Sequence, residues 1–247
     1  MTPISAVVIT RDAASQLAKC LDSLAFCDEI LVVDSGSTDG TIELARRRGA
    51  RVIETHWRGF GAQKQFAVEQ AAHDWVLCVD ADEWVSGILK DSICAALGAP
   101  SFPAYRFARC NRFMGRYLRH GEGYPDLSLR LFDRRHAHWS SDAVHERVVA
   151  DGPVGVLAGD LMHDSAESLE RYLEKQNRYS SLAAQAQLAA GKKSSLLRLV
   201  GSPLIRFIKF YVLRLGFLDG LPGLVHISIG CFASFAKHAK MLAAARR

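Results

Sequence analysis

Asp80-Ala81-Asp82 closes an apolar run, Trp75–Asp80 (WVLCVD), and is the first place where residue type and spacing suggest chemistry. Two carboxylates at the end of a buried strand repel each other and lose hydration, which is costly unless a cation joins them. Their hard oxygens suit Mg²⁺ or Mn²⁺, ions that bridge a few carboxylates to substrate phosphates. The same pair on a strand-to-loop turn also describes an ordinary solvated surface. A second acid, Asp34, ends the run EILVVD just before Ser35-Gly36-Ser37-Thr38-Asp39-Gly40. An acid there can accept hydrogen bonds from a base or a ribose, while Asp39 or Thr38 reads as a cap for the next helix. Gly59-Phe60-Gly61-Ala62-Gln63-Lys64 opens a helix whose N-terminus, with Lys64, favours an anion. It matches neither the P-loop nor the G-x-G-x-x-G pattern. Arg116–Asp126 (RYLRHGEGYPD) is a loop dense in polar and aromatic groups, and His145-Glu146 precedes a short apolar run. His136-x-His138 has no further ligands at metal spacing and reads as surface.

These residues need elements to position them. Strand signals cover Ile4–Thr10, Glu29–Asp34, Arg51–Glu54 and Trp75–Asp80. Helical spacing covers Ala13–Leu24, with Asp12 as the expected N-cap, then Thr41–Arg48 ending at Gly49, and Gly61–Ala72. Strands of continuous apolar character separated by helices imply a parallel sheet covered on both faces. Ligands bind such sheets beyond the carboxyl ends of the strands. Thr10-Arg11-Asp12, Asp34–Ser37 and Asp80–Glu83 therefore gather on one rim. Further strands are expected at Leu127–Phe132 and Val144–Val149, and a long helix over Ser165–Ala190. The expected division is a domain over 1–164, its first hundred residues for a nucleotide ligand and 101–164 for a second substrate, followed by a helical extension over 165–247.

The chain has 247 residues, 49% hydrophobic and 23% charged, which excludes disordered, collagen-like and coiled-coil classes. The net charge of +5 is unevenly spread: twelve of the 31 Lys/Arg fall from Lys175 onward, against Asp219 as the one acid. An acidic body carries a basic tail, which is a statement about partners. In the tail, Leu204–Leu215 (LIRFIKFYVLRL) is apolar apart from Arg206, Lys209 and Arg214. On a helix these cations fall within an arc of roughly 140°. Gly220–Ala236 is uncharged but only 17 residues long, short of the ~20 that a membrane span needs. Lys237, Lys240, Arg246 and Arg247 follow. The pattern fits a monotopic contact, apolar faces in the interface and cations on anionic headgroups; it also fits helices packed on the protein's own core. A nucleic-acid role is disfavoured, because the cations lie among aliphatics. Six cysteines without C-x-x-C pairs are expected as buried free thiols in a reducing cytosol. No basic segment precedes the first apolar run, so no signal peptide is expected.

The motifs VVITRD (Val7–Asp12), ILVVDSGSTDGT (Ile30–Thr41), GFGAQKQFA (Gly59–Ala67) and VLCVDADEWVS (Val76–Ser86) resemble family 2 glycosyltransferases of the GT-A fold. NRFMGRYLRHGEGYPDLSLRLFDRR (Asn111–Arg135), VHERV (Val144–Val148), YLEKQNRYSS (Tyr172–Ser181) and RFIKFYVLRLGFLDGLPGL (Arg206–Leu224) extend the likeness. These later motifs are similar to the lipopolysaccharide inner-core β-1,4-glucosyltransferase subgroup. The resemblance implies an α/β fold of GT-A type: a mostly parallel sheet flanked by helices, with a C-terminal helical extension that associates with the membrane. It implies a UDP-sugar donor, UDP-glucose, and Mg²⁺ or Mn²⁺ held at Asp80 and Asp82, chiefly by Asp82. Asp34 would contact the uracil, Thr10 and Asp12 would line that pocket, and Lys64 and Ala81 would face the donor. Ser35 stands where the broad family often has a second acid, which changes how base and ribose are held.

Inverting transfer needs a carboxylate to take the acceptor's proton. A nucleoside diphosphate leaves without a protonating acid once a cation neutralises its charge, unlike the leaving group of glycoside hydrolysis. Asp126 and Glu146 are the candidate bases, Asp126 slightly preferred. Arg112, Arg116, Arg119 and His120 would grip an anionic, lipid-linked acceptor at the cytoplasmic membrane face. Two enzymatic rivals fit less well. A haloacid-dehalogenase-like phosphatase wants Thr or Val where Trp84 stands, and a sugar nucleotidyltransferase wants a Gly-rich basic loop after Thr10. The third rival is a non-catalytic nucleotide-sugar-binding membrane scaffold.

Overall fold

The computed structural model describes residues 2–140, 146–165 and 168–245. The chain divides into two compact units, Met1–Arg109 with Asp126–Asp164, and Cys110–Pro125 with Ser165–Arg247. The segment 110–125 thus belongs with the helical unit and not with the body in which its position in the chain suggests it.

The first unit begins as the apolar spacing predicts: β1 (Ile4–Thr10), α1 (Ala14–Ser23), β2 (Glu29–Asp34), α2 (Thr41–Arg47), β3 (Arg51–Glu54), α3 (Phe60–Gln70) and β4 (Trp75–Asp80). It continues through β5 (Glu83–Val85), α4 (Gly87–Gly98), β6 (Ala104–Phe113), β8 (Asp126–Asp133), β9 (Ala137–Trp139), β10 (Val148–Ala150) and β11 (Val154–His163), with the end of β6 from Cys110 and all of β7 (Arg116–Tyr117) counted in the other unit. The sheet runs β3-β2-β1-β4-β8-β6-β11-β5. β3, β2, β1 and β4 are parallel. β8 then pairs antiparallel to both β4 and β6, and β11 antiparallel to β5. The sheet is therefore mixed: helices carry the chain across between the first four strands, whereas no helix lies between β6 and β8, and parallel neighbours need such a crossover. Of the expected strand at Val144–Val149, residues up to 145 lie outside the described ones, and pairing begins at Val148.

Alternate residues of the parallel strands feed two cores. Ile4, Ala6, Val8, Leu77 and Val79 pack with α1 and α4 through Leu17, Leu21, Leu89 and Ile93. Val7, Leu31, Val33, Val76 and Cys78 pack with α3 through Ala67 and Val68, and with Phe132 and Trp139. Helix α4 lies close against β11: a Cβ on Gly159 would come within 2.3 Å of the Leu89 backbone nitrogen. Ser86 Oγ caps α4 by accepting the Leu89 N–H.

Asp12 does not cap α1, contrary to expectation. It adopts a left-handed φ of 48°, and its carboxylate accepts the Thr38 N–H at 2.8 Å instead. The start of α1 is served from the next loop: Thr41 Oγ1 accepts the Ala13 N–H and Asp39 Oδ2 the Ala14 N–H. Asp39 Oδ1 also accepts the Thr41 N–H and hydroxyl, so one acid ties together the beginnings of two helices.

In the second unit, α5 (Leu169–Ala189) starts at Ser168, whose Oγ accepts the Arg171 N–H. α6 (Leu196–Phe207) runs into a π-helical segment, Ile208–Leu213, and a 3₁₀ turn, Gly216–Asp219, leads to α7 (Gly220–Ala244). Helix α7 packs against α5 and α6. Lys240 Nζ donates to the Asn177 and Ser180 oxygens at 2.7–2.9 Å, and Ser234 Oγ meets Ser202 Oγ at 2.9 Å. The helix continues past the uncharged run, because Lys237 and Lys240 sit within it. Gly216–Ala244, with mean hydropathy 1.3, is thus long and apolar enough to cross a membrane by length and composition. Helix α6 buries none of its residues: Leu196, Leu197, Val200, Leu204 and Ile205 are all exposed, as is Leu213 beyond it.

Candidate active site

The carboxyl ends of β1, β2 and β4 lie side by side, with Thr10 in register with Asp34 and Ile9 with Asp80. Asp34 is fully buried. Its Oδ1 accepts the Gly36 and Ser37 N–H groups at 2.9 and 2.8 Å, and its Oδ2 accepts the Thr10 and Ser37 hydroxyls. Four donors replace the hydration that the carboxylate loses. They also shape the turn, where Gly36 takes φ 92°, a conformation open to glycine. Asp34 thereby fixes Thr10 and the 36–37 backbone, and Ser35 Oγ adds a bond to the Thr10 carbonyl.

Asp80 is compensated from within the chain. Lys64 Nζ, on the second turn of α3, stands 3.0 Å from Asp80 Oδ1, and Arg130 Nη2, on β8, stands 3.0 Å from Oδ2. Both cations are buried, at 9% and 8% side-chain exposure, against 24% for Asp80. Beneath them Glu83, fully buried, accepts the Asp80 N–H at 2.9 Å and the Arg109 Nε–H, with Arg130 Nη2 at 3.7 Å. Burial alone would push the Asp80 carboxyl up, but Arg130 and Lys64 outweigh it and hold the group well below the carboxylate range. Burial would likewise lower Arg130, yet Asp80 and Glu83 raise it, so the guanidinium stays protonated. The cation that this strand end requires is therefore supplied by side chains at Asp80.

Asp82 is placed differently. Its Oδ2 faces His163 Nε2, at the end of β11, at 3.1 Å. The Asp164 N–H donates to the Asp82 carbonyl, and Lys19 bonds Asp164 at 2.8 Å. Among the described residues no group of three or more His, Cys, Asp or Glu side chains converges to hold a metal. A carboxylate and an imidazole together suit a divalent ion whose remaining positions go to substrate oxygens. Asp82 and His163 thus fit a metal shared with a diphosphate, whereas Asp80 is engaged by its cations.

Next to Asp80 a cavity of about 350 Å³ opens between β6, β8 and the β9–β10 pair, lined by Lys64, Arg106, Arg130, Trp139, Glu146 and Arg147 among others. Lys64 and Arg130 lie 4.8 and 5.4 Å from the Trp139 ring centre, and Trp139 Nε1 donates to Cys78 Sγ at 3.4 Å. Burial pushes the Cys78 thiol up to about 11, with the Trp139 bond opposing it; it is a packed group.

The structure brings Thr10, Asp12, Asp34, Lys64, Asp80, Ala81, Asp82 and Glu146 to one region. Lys64 lies 4.0 Å from Glu146 Oε1. Asp126 is the exposed first residue of β8, paired in register with Arg109. His145 lies outside the described residues. Arg112, Arg116, Arg119 and His120 belong to the second unit. There the buried Asp219 accepts the Arg119 and His120 N–H groups at 3.0 and 2.8 Å and meets His120 Nδ1 at 3.1 Å, and Arg116 donates to the Leu218 carbonyl. Sequence reasoning missed Arg109, Arg130 and His163, and placed Glu83 on the rim without a role. One signal was available: Arg130 interrupts the apolar strand LSLRLF, and a charge inside a buried strand implies a buried partner.

The glycosyl transferase family 2 model matches residues 5–120. The lipopolysaccharide core biosynthesis glycosyltransferase LpsC of Rhizobium meliloti is 33% identical over 97% of this chain and 92% of its own length. An uncharacterized glycosyltransferase of Rickettsia typhi is 32% identical over 98% of this chain and 87% of its own. Among solved structures, the mannosyltransferase PcManGT of Pyrobaculum calidifontis, in complex with GDP-Man and Mn²⁺, superposes with a TM-score of 0.53 at 18% identity, over 100% of this chain and 87% of that one. TarS 1–349 of S. aureus, in complex with UDP-GlcNAc, gives 0.50 at 17% identity, over 95% of this chain and 80% of that one. At these identities the structures speak for the GT-A fold, and the full-length sequence relatives speak for descent. The chain belongs to glycosyl transferase family 2.

Proposed function

We propose that the protein moves a hexosyl group, glucose, from a UDP-sugar to a sugar hydroxyl of a lipid-linked acceptor, the heptose of the lipopolysaccharide inner core, with inversion at the anomeric carbon. The observation that carries the proposal is the rim itself: Thr10, Asp34 and Asp80 at the ends of three adjacent strands, Asp82 just beyond Asp80, and Lys64 and Arg130 against Asp80. The core-biosynthesis name of the Rhizobium relative supports the acceptor class.

Thr10 and the Asp34-ordered turn hold the base and ribose, Asp12 closing that pocket from its loop. Lys64 and the backbone at Ala81 meet the diphosphate. Asp82, with His163, would hold Mg²⁺ or Mn²⁺, and the ion would supply positive charge for the diphosphate. A carboxylate on the far side of the sugar takes the proton of the attacking hydroxyl. Glu146 stands 4.0 Å from Lys64, on the phosphate side. Asp126 opens β8 four residues before Arg130, displaced along the strand from it by roughly 13 Å. Asp126 is accordingly the base in this reading.

In the second unit, the exposed Leu196, Leu197, Leu204, Ile205 and Leu213 alternate with Arg198, Lys209 and Arg214. That composition suits a peripheral seat on the anionic cytoplasmic face of the inner membrane, where a lipid-linked acceptor is met. Arg112, Arg116, Arg119 and His120 would then take its anionic groups.

The test is a donor screen with purified core acceptor lipid, following nucleoside diphosphate release. Glucose transfer from UDP-glucose is expected, lost in Asp126→Asn and retained in Glu146→Gln. Release from no nucleotide sugar would refute the transferase assignment, and the opposite pattern in the two variants would move the base to Glu146.

A further inference from the structure

The cavity beside Trp139 carries more positive charge than the donor rim explains. In and under it, Lys64, Arg106, Arg109, Arg130 and Arg147 face the carboxylates of Asp80, Glu83 and Glu146. Two positive charges are left over. Among the described residues neither Arg106 nor Arg147, both exposed on the cavity's rim, has a carboxylate partner. On the floor, Arg130 Nη1 is buried without a hydrogen-bond acceptor, although Nη2 and Nε of the same guanidinium are engaged. A buried donor without an acceptor is uncommon in a folded protein and asks for an explanation. Cations lining a concave low-dielectric wall also focus potential into it. Size agrees, since about 350 Å³ admits a phosphate or diphosphate and part of a sugar.

We propose that this cavity is a binding site for a phosphate-bearing group, with Arg130 as its floor and Arg106 and Arg147 as its rim. Guanidinium groups match phosphate oxygens in a fork, and three of them around one cavity favour a multiply charged anion. Two sources share this chemistry: the diphosphate of the donor and a phosphate carried by the acceptor. The inference rests on the proposed glycosyl transfer for the identity of those sources and on the cavity's charge for the site itself.

The experiment is titration calorimetry on the full chain, metal-free in EDTA, with inorganic pyrophosphate, UDP and glucose 6-phosphate as probes. Wild type is compared with Arg106→Gln/Arg147→Gln, which alters only exposed side chains, and with Arg130→Lys, which keeps a cation against Asp80 and Glu83. Near-ultraviolet circular dichroism verifies the fold of each. Pyrophosphate affinity is expected to fall roughly ten- to a hundredfold in both variants, the loss of one or more charge-assisted hydrogen bonds. If the donor is the source, UDP displaces pyrophosphate and weakens in parallel. If the acceptor is the source, glucose 6-phosphate weakens, UDP does not, and the two bind together. Equal affinity of every probe for wild type and both variants would overturn the proposal, leaving Arg130 Nη1 to a water in the adjoining void of about 10 Å³. So would the absence of any phosphate binding by wild type. A wild type that binds pyrophosphate but no nucleoside diphosphate would refute donor use and leave the anion site standing.

Discussion

Replacing Asp80 by Asn removes one negative charge from between two buried cations. Lys64 and Arg130, at 9% and 8% side-chain exposure, would then face Glu146 at 4.0 Å and Glu83 at 3.7 Å, respectively, instead of Asp80 at 3.0 Å. Breaking a buried pair by deleting one partner costs about 3–5 kcal/mol. Asp80 keeps 24% of its side chain in solvent, so the lower end applies, about 3 kcal/mol. For a chain of this size that lowers the melting temperature by roughly 6–12 °C. The pH dependence has a definite sign. The folded Asp80 carboxyl is held below its ordinary value of 3.8, so its contribution is complete above that value and fades as the pH falls toward the folded one. Wild type should therefore lose stability below about pH 4 more steeply than Asp80→Asn does. Urea unfolding at pH 7 and pH 3 measures both quantities, and Lys64→Met in the Asp80→Asn background completes a cycle. The double variant should recover part of the loss, because the orphaned ammonium is gone. A single variant within 1 kcal/mol of wild type, or strict additivity in the cycle, would refute the claim that side-chain cations neutralise this strand end.

Three further outcomes are expected. Asp82→Ala and His163→Ala should each reduce Mn²⁺ affinity in the presence of UDP by at least roughly tenfold, measured by calorimetry, with the melting temperature little changed; unaltered affinity in both would remove them as the metal pair. Leu197→Glu with Leu213→Glu should release the protein from phosphatidylglycerol vesicles in a flotation assay, since each exposed leucine offers about 1.5–3 kcal/mol on burial; undiminished flotation would return α6 to a solvent-facing role. His226 is packed against Phe113 and Tyr172, and burial, reinforced by Arg206, lowers its pKa. The helical unit should therefore lose stability as the pH falls below about 6.5, and His226→Phe should reduce that loss in acid melts, leaving the share of His238, which burial also lowers; an unchanged acid limb would show that His226 does not contribute.

The first half of the fold was legible because its signals are local. Apolar runs such as ISAVVIT and EILVVD, separated by amphipathic helices, specify parallel strands, and parallel strands put Thr10, Asp34 and Asp80 on a common rim. Turn chemistry was less so: Asp12 has the type and position of an N-cap, but a left-handed φ turns its carboxylate to Thr38, and Thr41 and Asp39 serve the helix instead. Composition also foresaw a basic, apolar tail, while the bundle decided which helix keeps its leucines in solvent: α7 packs against both neighbours and α6 buries nothing.

Residue types and order by themselves determined the α/β rim, the family to which it belongs and the identities of Asp34, Asp80 and Asp82. What those acids touch was decided only by folding. Asp80 meets Lys64 from 16 positions away and Arg130 from 50, Asp82 meets His163 from 81, and Asp34 divides its acceptors between its own turn and the Thr10 hydroxyl, 24 positions away. Periodicity reports the neighbours of a residue along one helix or strand, whereas the state of a buried charge depends on whichever distant strands carry an opposite charge to within 3 or 4 Å of it.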